Sequence, residues 1–276
     1  MDTAAIHETL NKALSKLHPS GSWPVNVHGI LSRLGVGLRF EDAQGKTPSH
    51  LQLGHTPTII IYRQTPAPFL STKERFSIAH ELAHWIVWRR FGSVPSSETE
   101  YWLHETVCND FAAKLLVAPR TLQDYIAQQV KDNVDPIYFP RNVAKSADVS
   151  WEVAAKSISA LPSTNFAYLR LVKAPEVKPK EGKTPSAAYL RFKVNCSTLK
   201  NMPGSFIGRN AILRAPQEVL HWMDDLPLKT VNTQQLTLAG GNLSLNSVPC
   251  AVVREQYFWV INFCSSDEGV QVETSH

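Results

Sequence analysis

The sequence predicts an α+β fold, and three observations predict it. Two long segments, 71–92 and 97–119, open on helix-capping residues and continue with helical apolar spacing. A β-branched run, TIIIY at 58–62, precedes them. The last third of the chain alternates apolar and polar residues in short strand-like runs. At 276 residues, 43% of them apolar and 19% charged, the chain exceeds one average domain and can bury a sizeable core. The expected division is into three parts, 1–119, 120–163 and 164–276.

Residues 5–17 read as an amphipathic helix and 25–34 as a second, after a proline-containing turn. Three short strands are expected at 37–40, 49–53 and 58–62, enough for a small sheet. Ser71 and Glu74 then form a capping box, and the helix they open runs through ERFSIAHELAHWIVWRRF to Gly92. Ser97 and Glu100 open the next helix, which runs to Pro119. Beyond it, helices are expected near 121–130 and 140–146. A tight turn at Ala147, Asp148 and Val149 leads to Ser150, which caps WEVAAKSISAL. Short helix, turn and capped helix together have the outline of a helix-turn-helix. A strand at 164–171 leads into the Pro- and Lys-rich KAPEVKPKEGKTP, which reads as a linker. The runs AAYLRFKV, QQLTLAG and CAVVREQYFWVINF are expected strands around one helix near 217–224, giving an α/β C-terminal domain.

Composition narrows the function classes. A formal charge of +4 is too mild to announce nucleic-acid binding. Segment 120–161 balances Arg120, Lys131, Arg141, Lys145 and Lys156 against Asp124, Asp132, Asp135, Asp148 and Glu152. Its helix-turn-helix outline therefore reads as a protein-docking or supporting element, and direct DNA contact has weak support. The start of the sequence lacks the pattern of a secretory leader, and no apolar run reaches the length of a membrane span. Cys108, Cys196, Cys250 and Cys264 are sparse and show no CxxC spacing, which suits a reducing compartment, so a cytoplasmic location is expected.

The chemistry concentrates in His80-Glu81-Leu82-Ala83-His84, an HExxH pattern inside a predicted helix. Residues four apart lie one turn up and about 40° around the axis, so both imidazoles can reach one ion. Glu81, on the neighbouring flank, can act as general base on a water without being a ligand. The alternative makes the histidines core residues bonded to carbonyls and pairs Glu81 with an arginine such as Arg75. That alternative has to bury three polar groups where one divalent ion would satisfy all of them. A catalytic zinc needs a third protein ligand and an open position. Glu105 is the best placed, beside the apolar stripe of Leu103, Val107, Phe111 and Leu115, with His104 a nitrogen alternative. Asn109, one turn further on, is a candidate partner for Glu105 or a ligand histidine. Tyr101, His104 and His221 are open alternatives for steadying an oxyanion. Thr58, Ile59, Ile60, Ile61 and Tyr62 are expected to accept an extended peptide as an added strand. Zinc is the expected metal, and manganese or iron suits the same donor set.

These residues carry a resemblance. RFSIAHELAHW followed by HETVCNDFAAKLLVAP is similar to the paired helices of the ImmA/IrrE family of metallopeptidases. His80, Glu81 and His84 match on the first helix. Glu105, Asn109, Ala112, Ala113, Leu115, Leu116 and Pro119 match on the second. One departure is Val117-Ala118, which stands where the family has a single Met before the closing proline. The resemblance covers roughly residues 5–120 and implies a zincin-like domain with zinc on His80, His84 and Glu105. It further implies a helix-turn-helix-like segment and a GAF-like C-terminal domain able to take a small-molecule signal. The implied substrate is a helix-turn-helix transcriptional repressor, cut in a stress response or mobile-element programme. A non-cleaving regulator, or a DNA-binding protein with a structural metal, is the competing reading. The intact Glu81 argues against a pure binder.

Overall fold

The structure is a computed structural model. It describes residues 3–17, 22–43, 48–92, 97–161, 166–173, 189–197, 212–216, 225–227, 231–240, 243–254, 259–264 and 270–272. The chain forms two compact units, Met1–Gln128 with Arg141–Ser157, and Gln129–Pro140 with Ile158–His276. Among the described residues there are seven α-helices and two sheets, so the α+β class holds.

In the first unit, α1 (Thr3–Leu17) and α2 (Val27–Leu34) precede β1 (Gly37–Asp42), β2 (Ser49–Gln52) and β3 (Thr58–Arg63). The three strands form a sheet in the order β1-β3-β2, with β1 parallel and β2 antiparallel to β3. TIIIY is thus the central strand, and Ile59, Ile60 and Ile61 are all buried. A central strand covered on both faces is a continuous apolar run rather than an alternating one.

The next helix, α3 (Thr72–Phe91), starts where its capping box requires. Ser71 Oγ accepts from Glu74 N, and Glu74 Oε2 accepts from Ser71 N. It stops at Gly92, whose φ of 66° is the left-handed conformation that glycine adopts at least cost. The helix is buried on almost every side through Val87, while Trp88 is 38% exposed and the last turn faces solvent. It packs on α4 (Glu98–Leu116), on α1 and on strands β2 and β3. Ile78 and Leu82 from α3, with Phe111 and Leu115 from α4, are each less than 2% exposed. Each such side chain contributes about 1.5–3 kcal/mol by burial, so the α3–α4 pair is held by its core.

α4 is capped by Ser97, whose side chain accepts from Glu100 N, and it ends at Leu116. Pro119 then opens α5 (Pro119–Lys131), a first-turn position where its missing N–H costs nothing. The helix-turn-helix outline is realised as α6 (Phe139–Ala147) and α7 (Trp151–Ser159). Asp148 takes the left-handed turn at φ 52°, Val149 is buried, and Ser150 Oγ accepts from Val153 N. Arg75 ties this corner to α3. Its Nε donates to Asp148 O at 3.0 Å and pairs with Asp148 Oδ2 at 3.2 Å, and its Nη2 donates to Val25 O at 2.9 Å. Arg75 is therefore occupied elsewhere, and the reading that paired it with Glu81 is set aside.

The second unit has a 3-10 turn at Pro136–Tyr138 packed against β8 and β9. Its strands are β4 (Phe166–Lys173), β5 (Tyr189–Ser197), β6 (Ile212–Pro216), β7 (Val231–Gly240), β8 (Leu243–Arg254), β9 (Trp259–Cys264) and β10 (Val270–Val272). Consecutive strands from β4 to β9 pair antiparallel, and β9 returns to β4, so six strands close a ring with β10 beside β8. Antiparallel neighbours need no crossover helix. The described part of this unit is accordingly a strand meander, and the expected α/β, GAF-like arrangement finds no support in its connectivity. The expected helix near 217–224 and the linker within 174–188 lie outside the described residues.

Candidate metal centre and catalytic site

Helix α3 supplies His80, Glu81 and His84 from one buried turn, and α4 packs across it so that Glu105 faces the two histidines. His80 Nε2 and His84 Nε2 are 2.9 Å apart. Glu105 Oε2 lies 3.3 Å from His80 Nε2, and Oε1 lies 3.1 Å from His84 Nε2. A tetrahedral centre with bonds of about 2.0–2.1 Å needs its donors roughly 3.3 Å from one another, so this trio can hold a zinc-sized ion with little rearrangement. The three side chains are 14–21% exposed, which leaves the cluster open on one side. Hydrogen bonds toward His80 and His84 hold the Glu105 carboxyl well below the usual carboxylate range against the opposing effect of burial. Glu105 is thus ionised and ready to ligate.

Glu81 is 9% exposed, and its Oε1 accepts a 2.8 Å hydrogen bond from Ser49 Oγ on β2. Tyr101 stands 46% exposed at the open side. The charge of Glu105, then partial burial, hydrogen bonding toward Glu105 and the charge of Glu81 raise its pKa, so the phenol keeps its proton and remains a donor.

A second group of donors shares His84: its Nδ1 is 3.7 Å from Cys108 Sγ, and the His104 ring stacks edge-on to it with centroids 4.9 Å apart. Burial, and after it the charges of Glu105 and Glu81, pushes the Cys108 thiol up; burial, with the charge of His84, pushes His104 down. Both are neutral and buried, and among the described residues His104 Nε2 has no hydrogen-bond partner. This group forms the packed rear of His84, whereas the charged trio with an open side has the character of a catalytic metal site.

Several expectations change. Asn109 is exposed, and among the described residues no hydrogen bond joins it to Glu105 or to either histidine. On α4 it is Cys108, not Asn109, that lies against His84. Residues Thr58 to Tyr62 cannot accept an added strand, because β3 is hydrogen-bonded to β1 on one side and β2 on the other. The strand with an open edge beside α3 is β2, which pairs among the described residues with β3 alone. Of the three oxyanion candidates, Tyr101 stands at the cluster and His104 is packed behind it, while His221 lies outside the described residues. Ser49 and Cys108 went unnoticed in the sequence. Their positions depend on strand order and helix packing, which no local spacing reveals.

Residues 31–159 match a family model described as the IrrE N-terminal-like domain, of the M78 peptidases. No curated protein matches the chain. A solved structure of a Mycobacterium tuberculosis transcriptional regulator is similar in fold, with a TM-score of 0.56 at 15% identity over 94% of this chain and 76% of that one.

Proposed function

We propose, from the IrrE N-terminal-like domain of the M78 peptidases matched over residues 31–159, that the chain is a zinc-dependent endopeptidase of the ImmA/IrrE family acting on a protein substrate. The observation that carries this reading is the convergence of His80, His84 and Glu105 within 3.3 Å of one another with Glu81 held alongside. In this reading those three residues hold the metal, zinc before manganese or iron. When bound, the ion supplies Lewis-acid activation of water and of the scissile carbonyl.

The chain's own residues do the rest. Glu81 takes the proton from the attacking water and delivers it to the departing amine. Tyr101 donates its hydroxyl hydrogen to the oxygen on which negative charge develops. An extended peptide pairs with the open edge of β2, and this places main-chain groups of the substrate beside α3. Tyr62 N bonds to Pro48 O at 3.0 Å, so residues 48, 50 and 52 bond inward to β3 and Leu51 turns its main-chain groups to the other side.

The proposed substrate is a helix-turn-helix transcriptional repressor, as the family resemblance implies. The α6–α7 pair, clamped by Arg75 within a segment 120–161 that is balanced in charge, suits protein docking or internal support better than DNA contact. The C-terminal domain is proposed to take the activating small-molecule signal. Among the described residues no helix is long and apolar enough to cross a membrane, and a cytoplasmic location is proposed from the sparse, unpaired cysteine pattern.

The test is incubation of zinc-loaded and metal-stripped protein with the repressor encoded beside this gene. Cleavage by the loaded protein alone, restored by added zinc, is the expected result. No cleavage under either condition would set the repressor aside as substrate. With a cleaved substrate in hand, Tyr101→Phe is expected to lower kcat on the order of a hundredfold with little change in KM. An unchanged kcat would remove Tyr101 from the mechanism.

A further inference from the structure

Glu81 and Ser49 are 32 residues apart, on different elements, yet the Ser49 hydroxyl donates to Glu81 Oε1 at 2.8 Å. Nothing in helix α3 itself orients the Glu81 carboxylate in this way. A glutamate side chain has three soft torsions and loses substantial rotamer freedom when held, so a base left unrestrained would spend much of its time misdirected. Proton abstraction needs the acceptor oxygen within about 2.6–3.2 Å of the water. With Oε1 engaged by Ser49, Oε2 is the oxygen left for the proton.

Directly opposed residues of paired strands project to the same face, and Ser49 is opposite Ile61. That face packs on α3, where Glu81 lies. The Ser49 side chain therefore points to the helix. We infer that Ser49 is a positioning residue that fixes the Glu81 carboxylate from a neighbouring strand. The inference rests on the peptidase reading above.

The test compares wild type, Ser49→Ala and Ser49→Thr on an internally quenched peptide selected from a mixed-sequence library by wild-type cleavage, with zinc content measured for each protein. Ser49→Ala keeps the backbone and loses the hydroxyl. It is expected to lower kcat about 10- to 100-fold, the scale of a misplaced catalytic group, with KM and zinc content unchanged. Ser49→Thr keeps the hydroxyl, suits a strand, and is expected to restore most of the rate. An alanine variant with wild-type kcat overturns the inference. So does one that loses zinc, or a rate that threonine does not restore, since each assigns Ser49 a packing role only. If wild type cleaves no peptide of the library and the adjacent repressor also survives, the peptidase reading itself fails and takes this inference with it. Cleavage by wild type with an unimpaired Ser49→Ala overturns the inference alone.

Discussion

Glu81→Gln is expected to lower substrate cleavage on the order of a thousandfold while zinc content stays at the wild-type level. Glutamine matches glutamate in size, and its amide oxygen can accept from Ser49 as Oε1 does. The fold and the contact with β2 are kept. What disappears is an acceptor that can take a proton from water and return it to the leaving amine, and general-base catalysis of this kind contributes about 10²–10⁴ in rate. The signature is therefore a fall in kcat without a fall in metal or substrate binding. Turnover on the cleaved repressor, read beside zinc content, decides the matter. Equal rates for wild type and variant would mean that Glu81 is not the base, and the competing view of a binding protein would gain ground.

Glu105→Ala acts on the other half of the site. It leaves His80 and His84 in place but removes the only charged donor of the trio, so zinc affinity is expected to fall at least a hundredfold and cleavage with it. The magnitude follows because loss of an outer partner of a ligand already costs about 10–100-fold, and a direct ligand cannot cost less. Alanine is the best helix former, and the Glu105 side chain is 21% exposed, so α4 should survive the change. Competition with a calibrated chelator measures the affinity. Cys108→Ser is the companion variant, since it touches the buried group behind His84 and spares the proposed trio. Zinc retained in the glutamate variant and lost in the serine variant would move the ion to His84, His104 and Cys108.

The parts of the site legible in the sequence are those governed by local periodicity. The four-residue spacing of His80 and His84 places them on one helical face wherever the helix sits, and the Ser71–Glu74 box with Gly92 marks its ends from a few residues of text. Glu105 could be picked because its neighbours on α4 write a buried stripe. Asn109, chosen on the same logic, is exposed and has no hydrogen bond to the trio among the described residues, since a stripe locates a face only to within several tens of degrees. The sheet was harder. Its strands were readable from β-branched residues, but order β1-β3-β2 is a matter of distant pairing, and it turned the most strand-like segment into a strand with no free edge. Ser49 sits in SHLQ, a weak strand whose importance comes from its neighbours across space. In the C-terminal region, alternation revealed strands such as Val231–Gly240, through QQLTLAG, but not that β9 would pair with both β4 and β8.

The open edge of β2 is only four residues long, Ser49–Gln52, and carries a histidine and a glutamine among them. Bare strand edges invite other chains to join and so seed aggregation, a hazard that proteins contain by keeping such edges short and polar. On the proposed reading, an edge of this length would pair with a single short stretch of an extended segment. It is too brief to template a growing sheet. On that reading, the same economy of length implies that a folded protein substrate must first expose a flexible loop to be cut, so local unfolding of the substrate, rather than tight capture, would set which bond is reached.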